Sequence, residues 1–99
     1  MRKAAQLTFD VSRVDNEFSN GFRGYKSIPE NYSLMFEWSG PMVMDRCHIP
    51  LSAAFLDEDN TIVDIKKMIP EPDTYVPENY YQSDKPYVRV LEAEDGWFR

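Results

Sequence analysis

A chain of 99 residues, 42% of them hydrophobic and 14% aromatic, is long enough for one compact core and short for two. Its aromatic content sets it apart from disordered chains, and its net charge of −6 disfavours nucleic acid, which is gripped by Lys and Arg on phosphates. No apolar run approaches the roughly 20 residues that span a bilayer, and no apolar stretch follows Arg2-Lys3. Neither a membrane partner nor a secretory signal is read, and a cytoplasmic location is expected. Cys47 is the single cysteine, so no disulfide forms within the chain.

The expected organisation is one β domain over residues 1–99. Ala5 to Val11 alternates, with Ala5, Leu7, Phe9 and Val11 on one side, the period of a half-buried strand. Between Ser12 and Arg23, Val14, Phe18 and Phe22 recur every four residues, which predicts a short helix capped by Ser12 or Asp15. Ser33 to Ser39 alternates again, placing Leu34, Phe36 and Trp38 opposite Met35 and Glu37, until Gly40-Pro41 turns the chain. Met42 to Ile49 reads as a further strand. Its two faces would carry Val43, Asp45, Cys47 and Ile49, and Met42, Met44, Arg46 and His48.

Ala53–Leu56, the polar tip Asp57-Glu58-Asp59-Asn60 and Thr61–Ile65 together predict a hairpin. From Met68 to Pro86, four prolines (Pro70, Pro72, Pro77 and Pro86) exclude a regular ladder, while Tyr75, Tyr80 and Tyr81 populate a long loop. Tyr87 to Glu92 supplies the closing strand, and Asp95-Gly96 turns before Trp97. The fold class expected is therefore mainly β: a small antiparallel β-barrel or jelly-roll-like sandwich with one short helix in the N-terminal half. Leu34, Phe36, Phe55, Ile62, Val63, Ile65, Val90 and Leu91 are its expected core.

Several segments resemble domain-of-unknown-function family 192, a set of small bacterial, archaeal and phage proteins. They are Ser33-Leu34-Met35-Phe36-Glu37-Trp38, His48-Ile49-Pro50-Leu51, Ala54-Phe55-Leu56-Asp57, Thr61–Ile65 and Val90-Leu91-Glu92 with Gly96-Trp97. Their order and spacing match over about three-quarters of the chain. The resemblance implies a compact barrel-like or jelly-roll-like fold with a small helix near the front, and implies no chemistry. Two departures stand out. The family's Trp-Met-Lys-Asn-Thr is Val43-Met44-Asp45-Arg46-Cys47 here, with one charge reversed, and Ser52 replaces the Asp after Ile-Pro-Leu.

The candidate sites weigh unevenly. Cys47-His48 suggests a thiolate–imidazole pair, but neighbours on a strand diverge, so a packing Cys beside a surface His is favoured. Ligands for zinc are too few. Asp57–Asn60 lacks the Gly and Glu of a calcium loop, since those positions hold Ile62 and Met68. No catalytic residue, metal or cofactor is assigned. The binding candidates are Arg46, His48 and Ser52 around one face, and Tyr75, Tyr80 and Tyr81 in the loop. Two functions fit these residues. One is a non-enzymatic binding or assembly module for a protein or carbohydrate partner, including a phage or host accessory, virion-associated protein. The alternative is a small enzyme or carbohydrate-binding domain using the Arg46/His48 face and the tyrosines.

Overall fold

The computed structural model describes the backbone of residues 13–15 and the whole of residues 21–98. Five strands form one sheet: β1 Arg13–Asp15, β2 Ser33–Phe36, β3 Leu51–Leu56, β4 Ile62–Met68 and β5 Arg89–Glu94. Their spatial order is β1-β2-β5-β3-β4, with β1 parallel to β2 and the other neighbours antiparallel. Among the described residues the sheet stays open, with β1 and β4 at its edges. No helix occurs among them either. Arg13–Asp15, inside the expected helix, is strand, and residues 21–24 form turns. The rest of the expected helix, residues 12 and 16–20 with Phe18 among them, lies outside the described residues. The expected strand Ala5–Val11 lies outside the described residues.

Strand alternation splits the apolar residues into two layers. Leu34, Phe36, Leu51, Ala53, Phe55 and Val90 join Phe22, Met42, Met44, Cys47, Met68 and Tyr87 on one face. Met35, Ala54, Leu56, Ile62, Leu91, Ala93 and Phe98 form the layer on the other. All six residues of β3 are buried, as expected of a central strand covered on both faces. Six of the eight expected core residues are buried, but Val63 is half-buried and Ile65 is 40% exposed. The reason is topological. β4 is an edge strand, and the register slip between Phe55 and Leu56 leaves Val63 as the extra residue of a bulge, only partly buried against the first layer, while Ile65, opposite Ala54, is exposed at the edge.

The hairpin tip behaves as its residues demand. Asp57 Oδ1 accepts from the amides of Asp59 and Thr61, both at 2.9 Å, and Asn60 takes the left-handed backbone that Asn tolerates. Met42–Ile49, by contrast, is not a strand. It makes only isolated bridges, Met42 to Tyr81 and Asp45 to Glu71, and Arg46 is left-handed at φ 62°. That one residue changes the alternation, so that Met42, Met44 and Cys47 share a layer instead of dividing between two faces.

Candidate functional site

The turn at Asp45-Arg46 assembles a charged cluster that strand geometry would have forbidden. In an extended strand the two side chains would point to opposite faces. The left-handed backbone at Arg46, rare for a residue with a Cβ, swings its guanidinium back onto the neighbouring carboxylate. The turn is closed by the Cys47 amide donating to the Met44 carbonyl at 3.1 Å, and three further backbone bonds tie it to its surroundings. The amide of Arg46 donates to the Glu71 carbonyl at 2.8 Å, the Glu71 amide to the Met44 carbonyl at 3.2 Å, and the Gly24 amide to the Arg46 carbonyl at 3.1 Å.

Asp45 is 2% exposed and accepts from two arginines. Arg23 donates through Nη2 to Oδ1 at 2.9 Å and through Nε to Oδ2 at 3.2 Å. Arg46 donates to Oδ2 through Nη2 at 2.8 Å and Nε at 3.1 Å. Burial works to raise the Asp45 pKa, but the hydrogen bonds and charges of Arg23 and Arg46 outweigh it and hold the carboxyl below its ordinary value. The buried acid is therefore ionised and saturated. Its role is to orient two cations rather than to carry a proton.

Outward from this cluster, the Arg46 guanidinium lies 5.2 Å from the centroid of the Tyr75 ring, a cation–π contact. Tyr75 stands on the proline-rich loop, whose shape depends on Glu71. The Glu71 carboxylate is buried and accepts from the Glu78 amide at 2.8 Å and Asn79 Nδ2 at 3.1 Å. The Glu78 amide lowers the Glu71 pKa, against an upward push from burial, with Asn79 and Thr74 adding to the lowering. An internal carboxylate thus acts as the hub of a loop that has no regular ladder. The side chains it leaves outside are Tyr75 and Val76, each 77% exposed, and Tyr80, 62% exposed.

The sequence-derived candidates separate into different settings. Arg46 and Tyr75 meet. Tyr80 lies on the same loop and projects into solvent. Tyr81 is structural: its backbone bridges Met42, its ring packs on the first core layer, and its hydroxyl accepts from the Ile69 amide at 3.1 Å. His48 is exposed and makes no hydrogen bond or ion pair among the described residues. Ser52 faces the second layer, beside Ala93, and donates to Asp95 Oδ1 at 2.8 Å, while Lys67 Nζ stands 3.5 Å from the same carboxylate. Ser52 thus faces the second layer, whereas Met44 and Cys47, which flank the Asp45-Arg46 turn, pack in the first. Cys47 is buried, and burial followed by the charge of Glu92 pushes its thiol up to about 12, so it is a packing residue at neutral pH.

Arg23, Asp45 and Glu71 were absent from the sequence-level candidates. The signal for Asp45 was its charge reversal against the family's Lys. Glu71, set between two prolines, carried no signal at all.

The comparisons with known proteins bear on fold and family. A Sinorhizobium meliloti 1021 protein, described as a candidate transcription regulator, superposes with a TM-score of 0.75 at 22% identity, covering 95% of this chain and 78% of that one. A Novosphingobium aromaticivorans DSM 12444 protein of unknown function gives 0.65 at 18% identity, covering 88% and 62%. At these identities the likeness is one of fold. No curated protein matches the chain. Residues 1–99 match the family DUF192, described as “Uncharacterized ACR”, over their whole length, and the chain belongs to that family.

Proposed function

We propose that this protein is a non-enzymatic binding module whose recognition surface is the Tyr75–Tyr80 segment together with Arg46, and that its partner is a protein. One observation carries the reading: exposed Tyr75, Val76 and Tyr80 stand on a backbone held from inside by Glu71. Exposed aromatic side chains on a disordered loop would lose entropy on binding. On a pinned loop much of that ordering is already complete, which lowers the cost of association. Tyr and Arg are also the side chains that concentrate binding energy at protein interfaces. Val76 beside the two rings favours a protein partner over a sugar, whose hydroxyls need polar neighbours. The chemistry of the cluster supports binding over catalysis, because Asp45 is saturated and Cys47 is protonated. For the scaffold we favour a sandwich-like architecture, supported by burial on both faces of the sheet.

The test is to recover partners from lysate with the wild type and with the Tyr75→Ala/Tyr80→Ala variant, beside a glycan array. Recovery lost at an unchanged melting temperature supports the reading. A partner retained by the double variant overturns it, and a glycan signal that disappears with the tyrosines moves the ligand class to carbohydrate.

A further inference from the structure

Beyond the loop, β4 forms the outer edge of the sheet. Among the described residues no strand lies beyond β4. Its backbone shows how that edge is left. Ile65 pairs with Ala54 of β3, yet its amide donates at 2.9 Å to Oδ1 of its own neighbour, Asp64, so this N–H points away from the ladder. The chain therefore satisfies an edge donor with a side chain, and an incoming strand could take that donor over. Ile65 itself is 40% exposed, with Lys66 and Lys67 following it.

The order of side chains along this edge is self-complementary. An antiparallel pairing of two β4 strands about a two-fold axis at Ile65 sets Ile65 opposite Ile65 of the other copy. It also sets Asp64 opposite Lys66, and Lys66 opposite Asp64. Asp64 and Lys66 already lie on one face, with Lys66 Nζ 3.7 Å from Asp64 Oδ2 within the strand. A two-fold axis perpendicular to the sheet keeps each face on its own side, so these charges meet directly. Other centres lose this match. An axis at Asp64 or at Lys66 opposes like charges, and one at Val63 or at Lys67 leaves Asp64 and Lys66 without each other. The outward-pointing Ile65 is also where an antiparallel seam would exchange two N–H···O=C bonds. We infer that β4 is a homodimerisation edge, with a second copy of this chain pairing antiparallel across Ile65 through reciprocal Asp64–Lys66 pairs.

The seam is short. Stable specific interfaces bury about 1,200–2,000 Å², and one seven-residue strand against another falls towards or below that lower bound. Association is accordingly weak and reversible. Asp64 caps the Ile65 amide in the monomer and is released to the other copy's Lys66 in the dimer.

The test uses the full chain in sedimentation velocity over a concentration series reaching the millimolar range. Three proteins are compared: the wild type, Asp64→Lys and Lys66→Asp. Both positions are solvent-accessible, at 33% and 42% side-chain exposure, and far-UV circular dichroism verifies that each variant keeps its sheet. The wild type should dimerise, and each single reversal should weaken this by about tenfold or more, since like charges then oppose each other twice. An equimolar mixture of the two variants should regain dimerisation, because the paired lysines of the Asp64→Lys chain then face the paired acids of the Lys66→Asp chain. A wild type that stays monomeric at every concentration overturns the inference. So do single reversals that associate as well as the wild type, or a mixture that gains nothing over its components.

Discussion

Replacing Asp45 with Asn keeps the shape of the side chain and removes the charge that two guanidiniums share. The magnitude follows from where each partner sits. Arg23 is 24% exposed at its side chain and makes the two-pronged contact, whereas Arg46 is 41% exposed. Breaking a buried pair costs about 3–5 kcal/mol, because the abandoned charge stays out of water, while an exposed pair is worth about 0–1 kcal/mol. Arg23 lies between these limits and Arg46 near the exposed one, which gives about 3 kcal/mol in total. For a domain of this size each kcal/mol moves the melting temperature by about 4–8 °C, so a fall of roughly 12–24 °C is expected. The pH dependence supplies an internal check. The folded-state pKa of Asp45 is depressed below its ordinary 3.8, so its contribution is complete above that value and is lost as pH falls below it. The gap between wild type and Asp45→Asn should therefore be constant from pH 7 to about pH 5 and narrow below pH 3.8. Scanning calorimetry across that range measures both quantities. A loss under about 1 kcal/mol at pH 7, or a gap that widens in acid, would refute the account of Asp45 as a charge clamp.

Glu71→Ala should release the loop without melting the sheet: amide exchange at Glu78 should accelerate by about tenfold or more, and partner recovery should fall with it. Tyr81→Ala and Tyr80→Ala should differ sharply in thermal melts. The former should lose about 2–4 kcal/mol as a ring packed on the core is removed, the latter less than about 0.5 kcal/mol. Cys47 should resist alkylation at pH 8, where a thiol with a pKa near 12 is ionised in roughly one molecule in ten thousand, and should react at an ordinary rate only once the chain is unfolded. Gly40→Ala should destabilise by about 1–3 kcal/mol, since a Cβ there would collide with the Trp38 ring, and calorimetry would detect it.

Residues that pair through simple alternation were legible from the sequence. Leu34, Met35 and Phe36 divide between the two core layers as their spacing demands, and the Asp57–Asn60 tip joins β3 to β4 as its turn residues imply. What misled was the stretch from Met42 to Ile49, whose pattern is as strand-like as that of β2. Its conformation is decided by partners remote in sequence: Arg23, 22 residues away from Asp45, and Glu71, whose carbonyl takes the Arg46 amide. No local propensity encodes a left-handed Arg. Tertiary contacts select it, and a period-two pattern carries no trace of them. The loop was legible as a loop from its prolines, and its tyrosines as surface candidates. That Tyr80 faces water while Tyr81 is anchored could not be read from two identical neighbours. The candidate site was thus half visible: Arg46 and Tyr75 were named, but the buried acids that hold them in place were not.

The two tryptophans make the two sides of the sheet separately observable. Trp38 rests against the first core layer, its indole Nε1 donating to the Pro41 carbonyl at 2.9 Å, and Trp97 rests against the second, edge-on to Phe98 at 5.1 Å. Each indole thus reports, by its emission colour, the wetting of one layer only. Two single-tryptophan proteins, Trp38→Phe and Trp97→Phe, would turn ordinary stopped-flow fluorescence into a layer-resolved recording of the order in which the two sides open.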